Sequence, residues 1–590
     1  MRRLLALSVL AAACGSDTQV TGKLIVEHDG DTSTPADTAD TADTADTADT
    51  ADTADGDADG DGHTVEDGDC DDEDAEVHPG AAETWYDGVD ADCAGDSDYD
   101  ADLDGHDRSP EGGDCDDSDG AVNPGATEVS GNGIDEDCDA ATPAFSGALA
   151  LSDAQAVWTS DLSGWASDVV ILDDIDGDGI DREVAFGARY ARLDGSSLVD
   201  GAVFVFEGLG TGGTEADALA VISNQERGGE LGVRLLPLPD LDGDGLGEVG
   251  LSMYSRWVDK GLSSEVIGAG SWAVASGARL LSDFDVADTA SLLAWGDGDV
   301  ELDYHGFQVG SGDLDGDGTA DLFVSGAAVT SATSHEVEVF LSGGGPTPLG
   351  ELQSSHAGMV GLDGDDVDGR DGYGWELDAA DVNGDGIDDL IVGALYHDHC
   401  GATDAGAVFV HLGPLTADQT YGTADTRLCA PSPLASGGLG MATRSGDLDN
   451  DGYSDVAAGM PALAGDAAGQ ALLWAGGAAG VSTSVDATYQ TGVVGDGLGH
   501  NLETRGDLSG DGVSDLVVSV RYATSGSATG QVRVYAGGGG FDTTADVVVD
   551  VEIDEGAVQQ MDVGDIDLDG VDDLVVENRV FLFGGRGWQP

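Results

Sequence analysis

Basic residues are scarce in this 590-residue chain: 20 Lys plus Arg stand against 117 Asp plus Glu, for a net charge of -97. Such a chain repels phosphate backbones and anionic lipid surfaces, which excludes nucleic acid as a partner. Long apolar runs are missing too. The apolar stretch in "MRRLLALSVLAAAC", residues 1–14, is far too short to span a bilayer. Its two arginines, short apolar core and small residues read instead as a secretory signal. Catalytic signatures are absent, with no G-x-S-x-G, no H-E-x-x-H and no phosphate loop, so the chain is no obvious enzyme. Hydrophobic residues still make up 40% of the chain, enough to build a core. So large an acid excess asks for counter-ions, and clustered Asp is a natural ligand set for Ca2+.

Cysteine is sparse but patterned. Cys70 and Cys93 lie 23 apart, Cys115 and Cys138 also lie 23 apart, and Cys400 and Cys429 remain as a third pair, leaving Cys14 odd. The "LAAAC" ending resembles a bacterial lipoprotein processing site, with Ala11 where that pattern usually has Leu. The resemblance implies that Cys14 is lipidated and becomes the mature N-terminus of an exported, lipid-anchored cell-surface or outer-membrane protein. The lipid would be its sole membrane contact. The alternative is ordinary cleavage after Ala11-Ala12-Ala13 and secretion.

Composition divides the rest. Residues 15–56 are a linker dominated from Ala36 to Asp55 by Ala-Asp-Thr triplets, too polar to bury and expected to stay extended and disordered as a tether. Residues 57–140 are two copies of one unit, each with a D-A-D-x-D-G-H start, a G-D-C-D-D core, a P-G-A turn and a closing D-x-C, offset by 45 residues. With so little to bury, each copy needs a disulfide and bound cations to hold it. The expected metal ligands are Asp57, Asp59 and Asp61 in the first copy and Asp100, Asp102 and Asp104 in the second. These units resemble MopE-type metal-binding repeats and, more loosely, thrombospondin type 3 repeats, which implies metal binding and spacing rather than an activity. His63, His78 and His106 raise a transition metal as a rival to calcium, but carboxylates outnumber every other donor.

From residue 145 to 590 one phrase recurs seven times. D-x-[DNS]-x-D-G begins at Asp174, Asp240, Asp313, Asp381, Asp447, Asp507 and Asp565, at separations of 66, 73, 68, 66, 60 and 58. After most loops comes an acidic residue and a short apolar run such as "DDLIVGA", then a second such as "GAVFVHLG". Short strands at even intervals, with hardly any helical periodicity, predict an all-β chain; seven repeated sheets suggest a closed, seven-bladed β-propeller. In the fourth loop Asp381, Asn383 and Asp385 can converge on one point, Gly386 permits the reversal, Ile387 offers its carbonyl and Asp389 closes the site. This oxygen set suits a hard cation and is a shorter relative of the EF-hand loop. The same positions give Asp174, Asp176, Asp178 and Glu183 in the first loop, and Asp240, Asp242, Asp244 and Glu248 in the second. The third has Asp313, Asp315, Asp317 and Asp321, and the fifth Asp447, Asp449, Asp451 and Asp455. The sixth has Asp507, Ser509, Asp511 and Asp515, and the seventh Asp565, Asp567, Asp569 and Asp573. About seven Ca2+ ions are expected here, with more in the N-terminal units.

The array resembles the FG-GAP repeats of the integrin alpha-chain propeller. The acidic loops carry the likeness, with "GA" at Gly187-Ala188, Gly326-Ala327 and Gly393-Ala394 and with Leu231-Gly232, Tyr373-Gly374, Leu439-Gly440 and Leu498-Gly499 for the Phe-Gly half. The resemblance implies four-stranded blades, calcium loops on one face and ligand binding on the other. Since no strand remains after "FLFGG", "SGALALS" near Ser146 is expected to complete the last blade.

Tyr190, Tyr396 and Tyr522 fall at one position after the strand in three repeats, so they either grip a glycan or protein ligand or pack between blades. "RGD" at Arg505 to Asp507 overlaps the sixth loop, which argues against an adhesive tripeptide. His397, Asp398, His399 and Cys400 raise a metal site, but with Cys400 expected to pair with Cys429 they read as a surface loop with incidental histidines. The expected function is a calcium-dependent binding or adhesion module. The alternatives are a polysaccharide lyase or hydrolase on a propeller scaffold, and a structural envelope spacer or calcium sink.

Overall fold

The computed structural model describes residues 57–83, 85–86, 89–95, 97, 99–102, 105–106, 108, 120, 123–124, 147–149, 154–172, 175, 182–193, 200–208, 212–224, 229–253, 270–297, 305–326, 336–343, 347, 349–352, 358–364, 371–398, 400–522, 529–538, 540–552 and 560–583. They form two units. One comprises the described residues up to Ala82 together with Ala91–Cys93, and the other comprises the rest. The leader, Cys14, the tether, Asp104, His399 and the pair Cys115 and Cys138 lie outside the described residues.

The first unit has little core: Val77 is its buried aliphatic residue. A disulfide joins Cys70 to Cys93, and a single 3-10 turn spans Val65–Asp67, capped by the Thr64 hydroxyl. Covalent and polar contacts replace hydrophobic burial, as expected for so small a unit.

The second unit is a seven-bladed β-propeller. Its first sheet runs Trp165–Ile171, Glu183–Ala188, Ala202–Glu207, Ala220–Ser223, and its second Leu235–Leu238, Glu248–Ser252, Ser271–Ser276, Ala294–Asp297. The third is His305–Gly312, Asp321–Gly326, Val337–Phe340, Met359–Asp363, and the fourth Tyr373–Ala380, Asp389–Ala394, Ala407–His411, Thr426–Leu428. The fifth is Thr443–Gly446, Asp455–Met460, Gln470–Trp474, Ala487–Tyr489, and the sixth Leu498–Glu503, Leu516–Val520, Thr529–Tyr535, Val547–Glu552. Met561–Gly564, Asp573–Val576 and Arg579–Phe581 begin the seventh, and its fourth strand is Ala156–Thr159 from the other end of the chain, antiparallel with Ala156 opposite Val580.

Seven sheets share seven hydrophobic clusters, one at each junction between neighbours. The cluster joining Val575 and Val580 to Val169 and Phe204 links the seventh sheet to the first and closes the ring. Because neighbours cover both faces of a blade, second strands such as Asp389–Ala394 are buried at every residue and read as continuous apolar runs. The outer strand Ala156–Thr159 alternates more with solvent.

The seam corrects one expectation. Gly147–Leu149, from "SGALALS", pairs in parallel with Val547–Val549 of the sixth sheet, and Ala156–Thr159 completes the last blade instead. The same device recurs where Phe284–Asp285, Gly350–Glu351 and Gln419–Thr420 each add a short parallel strand to the preceding sheet. Each precedes the fourth strand of its own blade, so the parallel position belongs to the linker.

A second correction concerns the glycines. Gly393 and Gly187 sit four residues into the second strand, but in the third sheet that place is held by Ser325, with Gly326 one step on. A Cβ on Gly187 would lie 1.9 Å from the Gly232 carbonyl oxygen, and one on Gly459 would lie 1.8 Å from that of Gly499. The glycine pairs therefore mark where neighbouring blades touch backbone to backbone. Ser325 and Ser519 instead accept the Gln308 and Asn501 amides, which come from the first strands of their own blades.

Candidate metal centres and axial cavity

Every acidic loop connects the first and second strands of its blade. In the fourth, Asp381 accepts the Gly384 and Gly386 amides at 2.6 and 2.8 Å, Asn383 accepts the Asp385 amide at 2.9 Å, and Asp385 accepts that of Ile387 at 3.0 Å. Gly386 has φ +85°, a region that side-chain-bearing residues rarely adopt. The closing carboxylate has a further task. Asp389 accepts the Val382 amide at 3.1 Å through one oxygen and the Gly413 amide at 2.8 Å through the other, tying the loop to the end of the third strand. Asp321, Asp455 and Asp573 repeat both contacts.

The predicted ligands do converge in several loops. Oxygens of Asp240, Asp242, Asp244 and Glu248 lie within 4.8 Å of one another, as do those of Asp313, Asp315 and Asp321, and of Asp447, Asp449 and Asp455. Asp317 and Asp451 each accept an amide within their loops. In the seventh loop Asp565 accepts the Gly570 amide, and Asp567 that of Asp569. The sixth departs: Asp515 accepts the Ser509 amide, and the Ser509 hydroxyl donates to Asp507, while Asp511 accepts from Val513. In the first loop Asp174, Asp176 and Asp178 lie outside the described residues, and the buried Glu183 accepts the Ile175 amide at 2.8 Å. In the N-terminal unit Asp57, Asp59 and Asp61 form one group. Asp100 accepts the Gly105 amide, and Asp102 is described without its partner Asp104.

These groups fit a hard divalent cation. Only carboxylate, amide and hydroxyl oxygens converge, and Glu248 Oε1 and Asp569 Oδ2 are buried with no hydrogen-bond partner. Burial first, then the charges of neighbouring loop carboxylates, pushes the closing groups up: Asp321 to about 6, Glu248, Asp389, Asp455 and Asp515 to about 7, and Asp573 to about 8.

The tyrosines sit at the opposite ends of the second strands from the loops. Tyr190 and Tyr396 are 37% and 39% exposed, and Arg189 and Arg521 lie over the rings of Tyr190 and Tyr522 at 4.4 and 5.5 Å. The "RGD" residues are engaged: Arg505 pairs with Asp378, and Asp507 accepts the Gly512 amide. His397 is fully buried against Phe409 and Tyr421, which corrects its surface-loop reading, while Cys400 is bonded to Cys429.

One site was not anticipated. The first strands surround a cavity of about 280 Å³ whose lining includes Asp168, Arg234, Asp378, Arg444, Glu503 and Asp562. Arg444 bridges Glu376 at 2.8 Å and Glu503 at 3.2 Å, and Arg234 reaches Glu376 at 2.9 Å. Asp168 and Asp562 instead accept the Leu235 and Ile171 amides of the next blade, both at 2.7 Å, and burial pushes them to about 7 and about 8. The available signal was a charged residue inside an otherwise apolar first strand.

Fold and loops together define an acidic-loop β-propeller carrying a small disulfide-bonded acidic unit. Residues 373–411, the first three strands of the fourth blade, match the FG-GAP repeat family. Residues 69–99 and 114–142 match the family described as "Putative metal-binding motif". The chain is similar to integrin alpha-IIb of Mus musculus, 30% identical over 38% of this chain and 20% of that one. It is also similar to integrin alpha-7 of Homo sapiens, 34% identical over 25% of this chain and 12% of that one. The matches thus span a fifth or less of those relatives' length. Among solved structures, the Dos1 propeller overlaps at TM-score 0.33 with 10% identity, covering 72% of this chain and 87% of that one. The rhamnogalacturonan lyase YesW overlaps at 0.32 with 16% identity, covering 69% of each; both overlaps are too loose to bear on function.

Proposed function

We propose that this chain is an exported Ca2+-binding protein whose propeller is a binding or adhesion module for a glycan or protein ligand, anchored through a lipid on Cys14. The observation that carries the reading is the division of labour along the second strands. Oxygen-lined loops pin one end, and the other presents half-exposed Tyr190 and Tyr396. A rigid scaffold with aromatic side chains on its loops is a common basis for recognition. Calcium is the cation favoured by an all-oxygen donor set.

A second reading is favoured by the axial cavity. Carboxyl groups raised toward neutrality beside arginines are a feature of acid and base catalysts, so a lyase or hydrolase acting on polysaccharide is the runner-up. One experiment separates the two. The mature protein is incubated with polysaccharides and cell-envelope fractions, in calcium and in chelator, and both retention and cleavage products are scored. Calcium-dependent retention without cleavage supports the module, and cleavage lost in Asp562→Asn supports the enzyme. If neither is seen, a structural spacer or calcium sink is the better account. The mass of the mature N-terminal peptide tests the lipid on Cys14.

A further inference from the structure

Basic side chains are rare in this chain, 20 in all, yet four of them, Arg182, Arg234, Arg444 and Arg505, line the axial cavity. Three are committed. Arg444 is held by Glu376 and Glu503, Arg234 reaches Glu376, and Arg505 pairs with Asp378, so these arginines tie blades together across the axis. Arg182 does not share that task. Its backbone amide donates to the Ile566 carbonyl at 2.8 Å, but its guanidinium makes no hydrogen bond or ion pair among the described residues. Asp572, the acid on which its charge acts, already accepts the Asp507 amide at 2.7 Å. In a chain with 117 acidic residues, a guanidinium that faces a cavity without a carboxylate of its own is placed for an anion from outside.

The position of Arg182 says where that anion enters. Arg182 directly precedes the second strand of the first blade, and Arg505 lies two residues before the sixth acidic loop, so both stand at the acidic-loop end of the cavity. The Arg505 side chain is 55% exposed, which puts it at the mouth. Deeper in, Asn501 Nδ2 donates to Gln560 Oε1 at 3.2 Å, with Asp168 and Asp562 also in the lining. Val169, Pro237 and Met561 supply apolar wall between these polar groups. At about 280 Å³ the cavity lies at the lower edge of the usual range for ligand pockets, about 300–1,000 Å³, and suits one ring-sized group rather than a chain.

We propose that the axial cavity binds an acidic sugar, a single hexuronate unit whose carboxylate is held by Arg182 and Arg505 at the acidic-loop end and whose hydroxyls meet Asp168, Asp562, Asn501 and Gln560 inside. The site rests on the reading of the propeller as a binding module, names the class of glycan, and needs neither the tyrosines nor cleavage. A neutral sugar would leave the Arg182 guanidinium without its anion. A plain dicarboxylate would satisfy the arginines and leave the inner hydrogen-bonding groups unmatched. A site built to hydrogen-bond a group rejects analogues that lack it, because its own polar atoms are then stranded.

The test uses the full mature chain in calcium. Galacturonate, galactose and glutarate are titrated by ligand-observed NMR against wild type, Arg182→Gln, Arg505→Gln and Arg279→Gln, and thermal melting of each variant checks its fold. Arg279 bonds Ser282 and lies over Phe284, away from the cavity, so its variant controls for the loss of one charge. Galacturonate is expected to bind wild type and Arg279→Gln alike and to weaken roughly tenfold or more in Arg182→Gln, as the loss of a charged hydrogen bond requires. Arg505→Gln should show a loss in the same direction and serves as the second variant should Arg182→Gln fold poorly. Galactose and glutarate are expected to bind wild type more weakly than galacturonate does. Galacturonate affinity that is unchanged in both cavity variants overturns the proposal, as does galactose or glutarate binding as tightly as galacturonate. Retention on cell-envelope fractions, read on the same samples, tells two failures apart. Wild type that is retained but binds no galacturonate loses only this site, and wild type that does neither loses the binding-module reading with it.

Discussion

The Asp388 carboxylate accepts the Asp313 amide at 2.9 Å, and the Asp388 amide donates to the Asp313 carbonyl at 3.0 Å. The third acidic loop is thereby fastened, at its first residue, to the fourth. Asp572 and Asp507 make the same reciprocal pair between the seventh and sixth loops, at 2.7 and 2.9 Å. Neighbouring loops therefore share a backbone, and ordering one helps to order the next.

Asp388→Ala is expected to cost about 1.5–3 kcal/mol, the usual contribution of a hydrogen bond to a charged group, and to weaken cation binding in the third loop as well as the fourth. Calorimetric titration with calcium beside thermal melting checks both. Unchanged calcium affinity with lowered stability would show the latch to be structural only.

On the proposed reading of the loops as calcium sites, removing calcium is expected to unfold the propeller at moderate temperature. With site affinities of roughly 0.1–1 mM, tenfold excess contributes about 1.4 kcal/mol per site by linkage. Seven such sites reach about 10 kcal/mol, comparable to the stability of a whole domain. A melting temperature that does not move in excess chelator would refute this.

The metal-free propeller should grow less stable as pH rises from about 4 to about 8. The closing carboxyl groups are raised to about 6 in Asp321, about 7 in Glu248, Asp389, Asp455 and Asp515, and about 8 in Asp573. In that window the folded state holds protons that the unfolded chain, with ordinary carboxyl groups, has released, so stability falls as pH rises. Calcium, which needs the ionised forms, opposes the trend. Melting scans in chelator between pH 5 and 8 check the sign, and Asp389→Asn should flatten the slope. A melting temperature that climbs with pH in chelator would contradict the assignment.

Arg444→Ala is expected to destabilise by about 3–5 kcal/mol, because it strands charge on the fully buried Glu376 and on Glu503. Denaturant unfolding measures it. A loss below about 1 kcal/mol would mean that water or Arg234 compensates.

Gly459→Val should be more damaging than its size implies, since even a Cβ at Gly459 would sit 1.8 Å from the Gly499 carbonyl oxygen. Exposed Gly452, where an added Cβ would meet nothing within 4 Å yet φ is +90°, should respond to Ala only through backbone strain. Paired melting curves of Gly459→Val and Gly452→Ala distinguish contact from strain, and equal losses would remove the blade-contact account.

The sequence by itself determined the repeat, the all-β class, the number of blades and the position of each acidic loop, because period and turn chemistry are local properties of the chain. Asp240, Asp242, Asp244 and Glu248 could be read as one constellation since a nine-residue loop brings their oxygens together. It also paired Cys70 with Cys93 and Cys400 with Cys429 by spacing and elimination, both formed in the structure. Contacts between distant segments were decided by the tertiary structure alone. Ala156 meets Val580 across the seam, Arg444 is shared by Glu376 and Glu503 from two other blades, and Ser325 fills a glycine's place. Closing a ring sets these partners by geometry, and no local pattern encodes which blade's side chain will lie across the axis.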